Sequence, residues 1–144
     1  MAVAAEFEEI VDNFELFDDW EDRYRYVIEL GRAMPPLPDA LKTPETKVEG
    51  CASQVWLVPE IRPDGDGEDC LHFRGDSDAM IVRGLIAMLR ALYCGQPLSD
   101  VPGIDAQREL ARLDLEAHLS SQRSNGLKAM VRRINDLARA AAPA

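Results

Sequence analysis

A chain of 144 residues, 47% of them apolar, has the length of one domain and enough apolar surface to bury its own core. Its formal net charge of −10 repels phosphate backbones, which sets nucleic acid aside as a partner; the same charge suits a partner with a basic patch, or simple solubility. No apolar run reaches the roughly 18–20 residues of a membrane span, and the longest candidate, 79–94, is broken by Arg83 and Arg90.

The opening residues, Met1-Ala2-Val3-Ala4-Ala5-Glu6, lack the basic start and long apolar centre of a secretory signal, so a cytoplasmic location is expected. Residues 4–17 carry Phe7, Ile10, Val11, Phe14 and Phe17 in steps of three and four, the stripe of a helix. Asp18 or Asp19 caps a second helix, with Glu21 and Asp22 in its first turn and a stripe of Trp20, Tyr24, Val27, Ile28 and Gly31. Met34-Pro35-Pro36-Leu37-Pro38 stops it, since proline lacks the amide donor. One helical turn at 39–42 and a short edge strand at 46–48 follow.

Residues 53–61 read as a central strand, with Val55 and Leu57 on one face and Trp56 and Val58 on the other. Pro63-Asp64-Gly65-Asp66-Gly67 is a turn, and 68–74 alternates around Leu71 and Phe73, so the two runs form a hairpin. The turn lacks the carboxylate series and late glutamate of an EF-hand loop, which argues against calcium. Gly75-Asp76-Ser77-Asp78 starts the next helix, with Asp76 or Ser77 as its cap. That helix runs to Tyr93 with the widest apolar surface in the chain, and Cys94-Gly95-Gln96-Pro97 ends it. After a connector at 98–104 come a helix over 105–115, a link at 116–119, and a last helix capped by Ser120 or Ser121. Leu127, Met130, Val131, Ile134, Leu137, Ala138 and Ala141 form its stripe. The order describes an α+β domain, with helices packed on a small antiparallel sheet of about three strands.

The three cysteines, Cys51, Cys70 and Cys94, are odd in number and widely spaced. They offer no disulfide framework and no C-x-x-C pair, and His72 and His118 stand far apart, so zinc or iron–sulfur ligation within the chain has little support. Cys70 and Cys94 read as packing residues. Cys51 stands between Gly50 and Ala52, just before the apolar run 55–58. Gly50 permits a tight turn, and Ala52 leaves room for another molecule to approach the sulfur. The residues alone leave two readings open: a small buried hydrophobe, which is the commoner role, or a nucleophile or sulfur carrier on a short loop. His118 as the base of a Cys–His hydrolase is a third and weaker reading, since a lone histidine is usually structural.

The segment Gly50-Cys51-Ala52-Ser53-Gln54-Val55-Trp56 resembles the GCxSQVW signature of the SufE family, which includes the related CsdE proteins. Trp20-Glu21-Asp22-Arg23-Tyr24, Glu29-Leu30-Gly31, Gly75-Asp76-Ser77-Asp78-Ala79, Ile81-Val82-Arg83-Gly84-Leu85-Ile86 and Ser121-Gln122-Arg123-Ser124-Asn125-Gly126-Leu127 extend the likeness over residues 7–137. The resemblance implies a SufE-like fold and a sulfur carrier. Cys51 would accept persulfide sulfur from a cysteine desulfurase of the SufS type, stimulate it, and pass the sulfur to a SufBCD-type scaffold where iron–sulfur clusters are built. Pyridoxal phosphate (PLP) would belong to the desulfurase, and this chain would need no cofactor. A monomer or weak homodimer is expected.

Gly50 and Gln54 would support the loop, and Asp78 matches an acidic position near it, where helix capping is an equal explanation. Arg123, in a stretch like the family's SRSxGL although Gln122 precedes it here, would favour the thiolate or anchor the partner; a surface charge or salt bridge is its alternative. Ala52 and Cys94 do not decide between the SufE and CsdE pathways.

Overall fold

The stripe of Phe7, Ile10, Val11 and Phe14 is buried along one side of α1 (Ala5–Leu16) in the computed structural model, which describes residues 5–141. Residues 1–4, with the expected first residue of this helix and most of the segment read for a signal, lie outside the described residues. Helix α2 (Trp20–Ala33) starts as expected, with the Asp19 carboxylate accepting from Asp22 N, and ends at Met34 before the prolines. The single turn near 39–42 is a 3-10 turn, Asp39–Leu41.

Strands β1 (Val55–Pro63) and β2 (Asp69–Ser77) form the hairpin, paired antiparallel from Val55↔Ser77 to Pro63↔Asp69. Val55 and Leu57 are fully buried, whereas Trp56 and Val58 on the opposite face are only partly covered. The Asp64 carboxylate closes the turn by accepting from Asp66 N and Glu68 N. The sheet's third strand is β3 (Gln96–Pro97), beside Cys70 and Leu71, in a segment expected only to end a helix. The expected edge strand at 46–48 reduces to one isolated bridge, Lys47↔Trp56.

A second correction concerns 75–78. These residues continue β2 through Ser77, and α3 (Met80–Tyr93) begins after Ala79, which offers no side-chain cap. Asp76 and Ser77 are therefore not N-caps. Asp76, whose side chain is 4% exposed, pairs instead with Arg83 at 2.7 Å and accepts from Leu37 N at 3.0 Å. Arg83 also donates to the Gly31 and Met34 carbonyls, which closes the free end of α2. One ion pair thus ties β2, α3 and the end of α2 together.

Helix α3 is the most buried of the helices, with ten residues inside. It meets α2 at glycines: a Cβ on Gly84 would overlap the Val27 carbonyl oxygen, and one on Gly31 would lie 2.7 Å from Gly84 N. Gly84→Ala is expected to force the helices apart and cost about 1–3 kcal/mol, the usual penalty of overpacking, read as a lower denaturation midpoint.

The helix expected over 105–115 stops early. Helix α4 (Ala106–Ala111) gives way to a turn in which Asp114 has φ 53°. Arg112 there grips Glu8 of α1 through two contacts, at 2.8 and 2.9 Å. His118 stacks on Trp20 at 3.7 Å, and its carbonyl accepts from the Tyr24 hydroxyl. This anchored link delivers α5 (Ser121–Ala141), whose Ser120 hydroxyl accepts from Arg123 N.

Candidate functional site

The loop carrying Cys51 is the tip of a narrow hairpin. Val48 N donates to Val55 O at 2.8 Å and Leu57 N to Thr46 O at 2.9 Å, so residues 49–54 span between two fixed legs. Gly50 turns the chain with φ +92°, a region that disfavours residues with a Cβ. At the far end, Gln54 N donates to the Asp78 carboxylate at 3.0 Å, and Asp78 N donates to Gln54 O at 3.3 Å. Asp78 thus fastens the loop to the segment between β2 and α3, and does not cap the helix.

Helix α5 closes over the sulfur. A Cβ on Gly126 would lie 3.5 Å from Cys51 Sγ, an ordinary van der Waals distance, so helix and loop are in direct contact here. The thiol donates to the Gly126 carbonyl at 3.5 Å. Nothing in the helical stripe marked Gly126 for this role; the available signal was a glycine inside a helix, which normally has a packing or functional reason.

Cys51 is half-buried at a cavity of about 300 Å³. Val55, Val82, Leu85 and Met130 supply its buried apolar wall, and Ser120, Gln122 and Arg123 an exposed polar margin. Burial pushes the Cys51 thiol up, and the negative charge of Glu49 pushes it further. The resting sulfur is accordingly a protonated thiol, slow to react. Glu49→Gln removes one of the two causes. It is expected to raise the rate of iodoacetamide alkylation of Cys51 at neutral pH by about two- to threefold, a modest gain because Glu49 is exposed and screened.

The site thus brings together Gly50, Cys51, Gln54, Asp78 and Arg123, although Arg123 shares only the cavity and Asp78 only the fastening of the loop's far end. Cys70 and Cys94 stand elsewhere. Cys70 is buried on β2 near Asp64 and Glu68, and Cys94 ends α3 beside the Phe73 carbonyl. His118 is absent from the cavity lining and is held by Trp20. Among the described residues, no group of three or more histidine, cysteine or carboxylate side chains is placed to hold a metal ion, and no helix is long and apolar enough to cross a membrane.

The family described as SufE, Fe-S metabolism associated domain, matches residues 8–138. An uncharacterized SufE-like protein of Rhizobium etli is 52% identical over 141 residues, 97% of this chain and 94% of that one. Another, from Rhizobium meliloti, is 51% identical over 138 residues, 95% of this chain and 97% of that one. The solution structure of a hypothetical protein from Thermus thermophilus superposes with a TM-score of 0.75 at 18% identity. It covers 97% of this chain and 98% of that chain, so the two share a fold.

Proposed function

The chain belongs to the SufE family, and from that membership we propose that it is a sulfur carrier for iron–sulfur metabolism, loaded on Cys51 by a PLP-dependent cysteine desulfurase. The observation that carries this reading is the placement of Cys51: at the tip of a loop fixed at both ends, beside a cavity with room for a second sulfur atom.

The transfer is an exchange between sulfurs. The Cys51 thiolate attacks the outer sulfur of the donor's persulfide, a new S–S bond forms, and the donor's own S–S bond breaks. The donor cysteine leaves as a thiolate and takes up a proton equivalent to the one Cys51 gave up. The sum is redox-neutral, so no reductant is consumed and no cofactor is needed on this chain. Pyridoxal phosphate acts in the desulfurase, where sulfur is removed from free cysteine.

Two features of the resting site suit a carrier. The raised thiol pKa keeps Cys51 quiet until a donor docks, and the apolar wall gives the added sulfur a place out of solvent. Docking draws the loop outward about Gly50 while β1 stays fixed. Arg123, exposed on the cavity margin, meets the donor. The sulfur then passes to a SufBCD-type scaffold in the cytoplasm.

The test is a desulfurase assay with and without this chain, with intact mass measured on the products. Faster alanine release and a gain of one sulfur atom are expected. Unchanged turnover together with unchanged mass would refute the proposal.

A further inference from the structure

The first turn of α5 has little core of its own. Residues 121–123 and 125 are exposed and Ser124 is half-buried; the buried residues of the helix begin at Gly126 and continue through Leu127, Met130 and Ile134. Yet that turn supplies the polar margin of the Cys51 cavity, through Gln122 and Arg123. It is held from the link that precedes it.

Two residues of α2 grip that link. The Trp20 and His118 rings stack with centroids 3.7 Å apart and planes at 20°, and the Tyr24 hydroxyl donates to the His118 carbonyl. Trp20 is itself seated edge-on against buried Phe14, at 6.1 Å, so the grip reaches the core. Leu119 packs partly on the core. The next residue, Ser120, lines the cavity and caps the helix: its hydroxyl accepts from Arg123 N at 3.2 Å, and its carbonyl from Ser124 N at 2.9 Å. A turn past Arg123, the Gly126 carbonyl accepts from the Cys51 thiol. An unbroken set of contacts thus runs from α2 to the sulfur.

We propose that Trp20 and Tyr24 are positioning residues for Cys51: by gripping His118 they fix the first turn of α5 beside the thiol, and so set how readily the sulfur is reached. The geometry is that of the free chain; its use in sulfur transfer rests on the carrier reading. The ring stack and the hydrogen bond are each small against the stability of a whole fold. They matter here because the opening of one turn is a local event of low free energy, on which a modest loss acts in full. Releasing the grip admits water to the cavity, relieves the burial that pushes the Cys51 thiol up, and uncovers the sulfur.

The test is the rate of iodoacetamide alkylation in the full chain, read peptide by peptide for Cys51, Cys70 and Cys94. Tyr24→Phe removes only the hydroxyl, and His118→Ala only the ring. Each is expected to raise the Cys51 rate about three- to tenfold, with the Cys70 and Cys94 rates and the circular dichroism spectrum unchanged. His118→Phe keeps a flat ring on Trp20 and is expected to return the Cys51 rate to within about twofold of the parent's. It gives up only the contact with the exposed Asp114 carboxylate, 3.8 Å from His118 Nε2, a pairing that water screens. Unchanged Cys51 rates in both Tyr24→Phe and His118→Ala would overturn the proposal. So would an equal rise at all three cysteines, or a rate in His118→Phe as high as in His118→Ala. Loading of the parent by cysteine desulfurase is read alongside by intact mass. Sulfur on the parent's Cys51 with unaltered alkylation in the variants would end the positioning proposal and spare the carrier reading. Selective alkylation in the variants with no sulfur on the parent would do the reverse.

Discussion

Cys51→Ser is expected to fold like the parent chain and to take up no sulfur from a desulfurase. The side chain is half-buried, and its one hydrogen bond is the weak contact to the Gly126 carbonyl. Serine preserves that donor and nearly the same volume, so stability is expected to change by no more than about 1 kcal/mol. The chemistry is lost because a hydroxyl is far less nucleophilic than a thiolate toward sulfur and forms no persulfide. Loading is expected to fall below about 1% of the parent's. Cys70 and Cys94 do not take over, since neither lines the cavity and both stand away from the Cys51 loop. Circular dichroism and intact mass on the same sample separate loss of chemistry from loss of fold.

The second large effect is structural. Asp76→Ala leaves Arg83, with its side chain 14% exposed, without its carboxylate, and leaves Leu37 N without its acceptor. Removing one partner of a buried pair typically costs about 3–5 kcal/mol, because the remaining charge is desolvated and uncompensated. Denaturant unfolding is expected to show a loss of that size. The pair also predicts a pH signature. Burial alone pushes the Asp76 carboxyl up, but the hydrogen bonds from Leu37 and Ser77, with Arg83 and Lys42 nearby, outweigh it and hold the pKa below its ordinary value. A carboxyl lowered by folding stabilises the fold fully above the unfolded pKa of about 3.9. That contribution fades as pH falls through the folded value. The parent is therefore expected to lose stability through this acid range more steeply than Asp76→Asn, and equal slopes would remove Asp76 from the account.

Where local chemistry decides, the sequence was readable. The Gly50-Cys51-Ala52 loop, the apolar pairs of β1 and the stripes of α1, α3 and α5 all follow from nearest neighbours in the chain. The misread positions are those where a distant partner decides. Asp76 and Ser77 have the chemistry of helix caps, and only the fold brings Leu37 and Arg83 to Asp76 and keeps the backbone extended. Residues 96–97 carry a proline and look like a helix stop, yet they pair with β2 because α3 returns the chain to its edge. The site shows the same division. Cys51, Gly50 and the Arg123 segment could be named from the sequence. The cavity's apolar wall, the contact with Gly126 and the fastening of Gln54 to Asp78 depend on packing between elements far apart in the chain.

The most direct measurement maps the transferred sulfur to a residue. The parent chain is incubated briefly with desulfurase and cysteine, alkylated and digested, and the peptides holding Cys51, Cys70 and Cys94 are weighed separately. An added sulfur on the Cys51 peptide alone is the predicted result. Sulfur on Cys70 or Cys94, or on no peptide while the desulfurase turns over, would contradict the account.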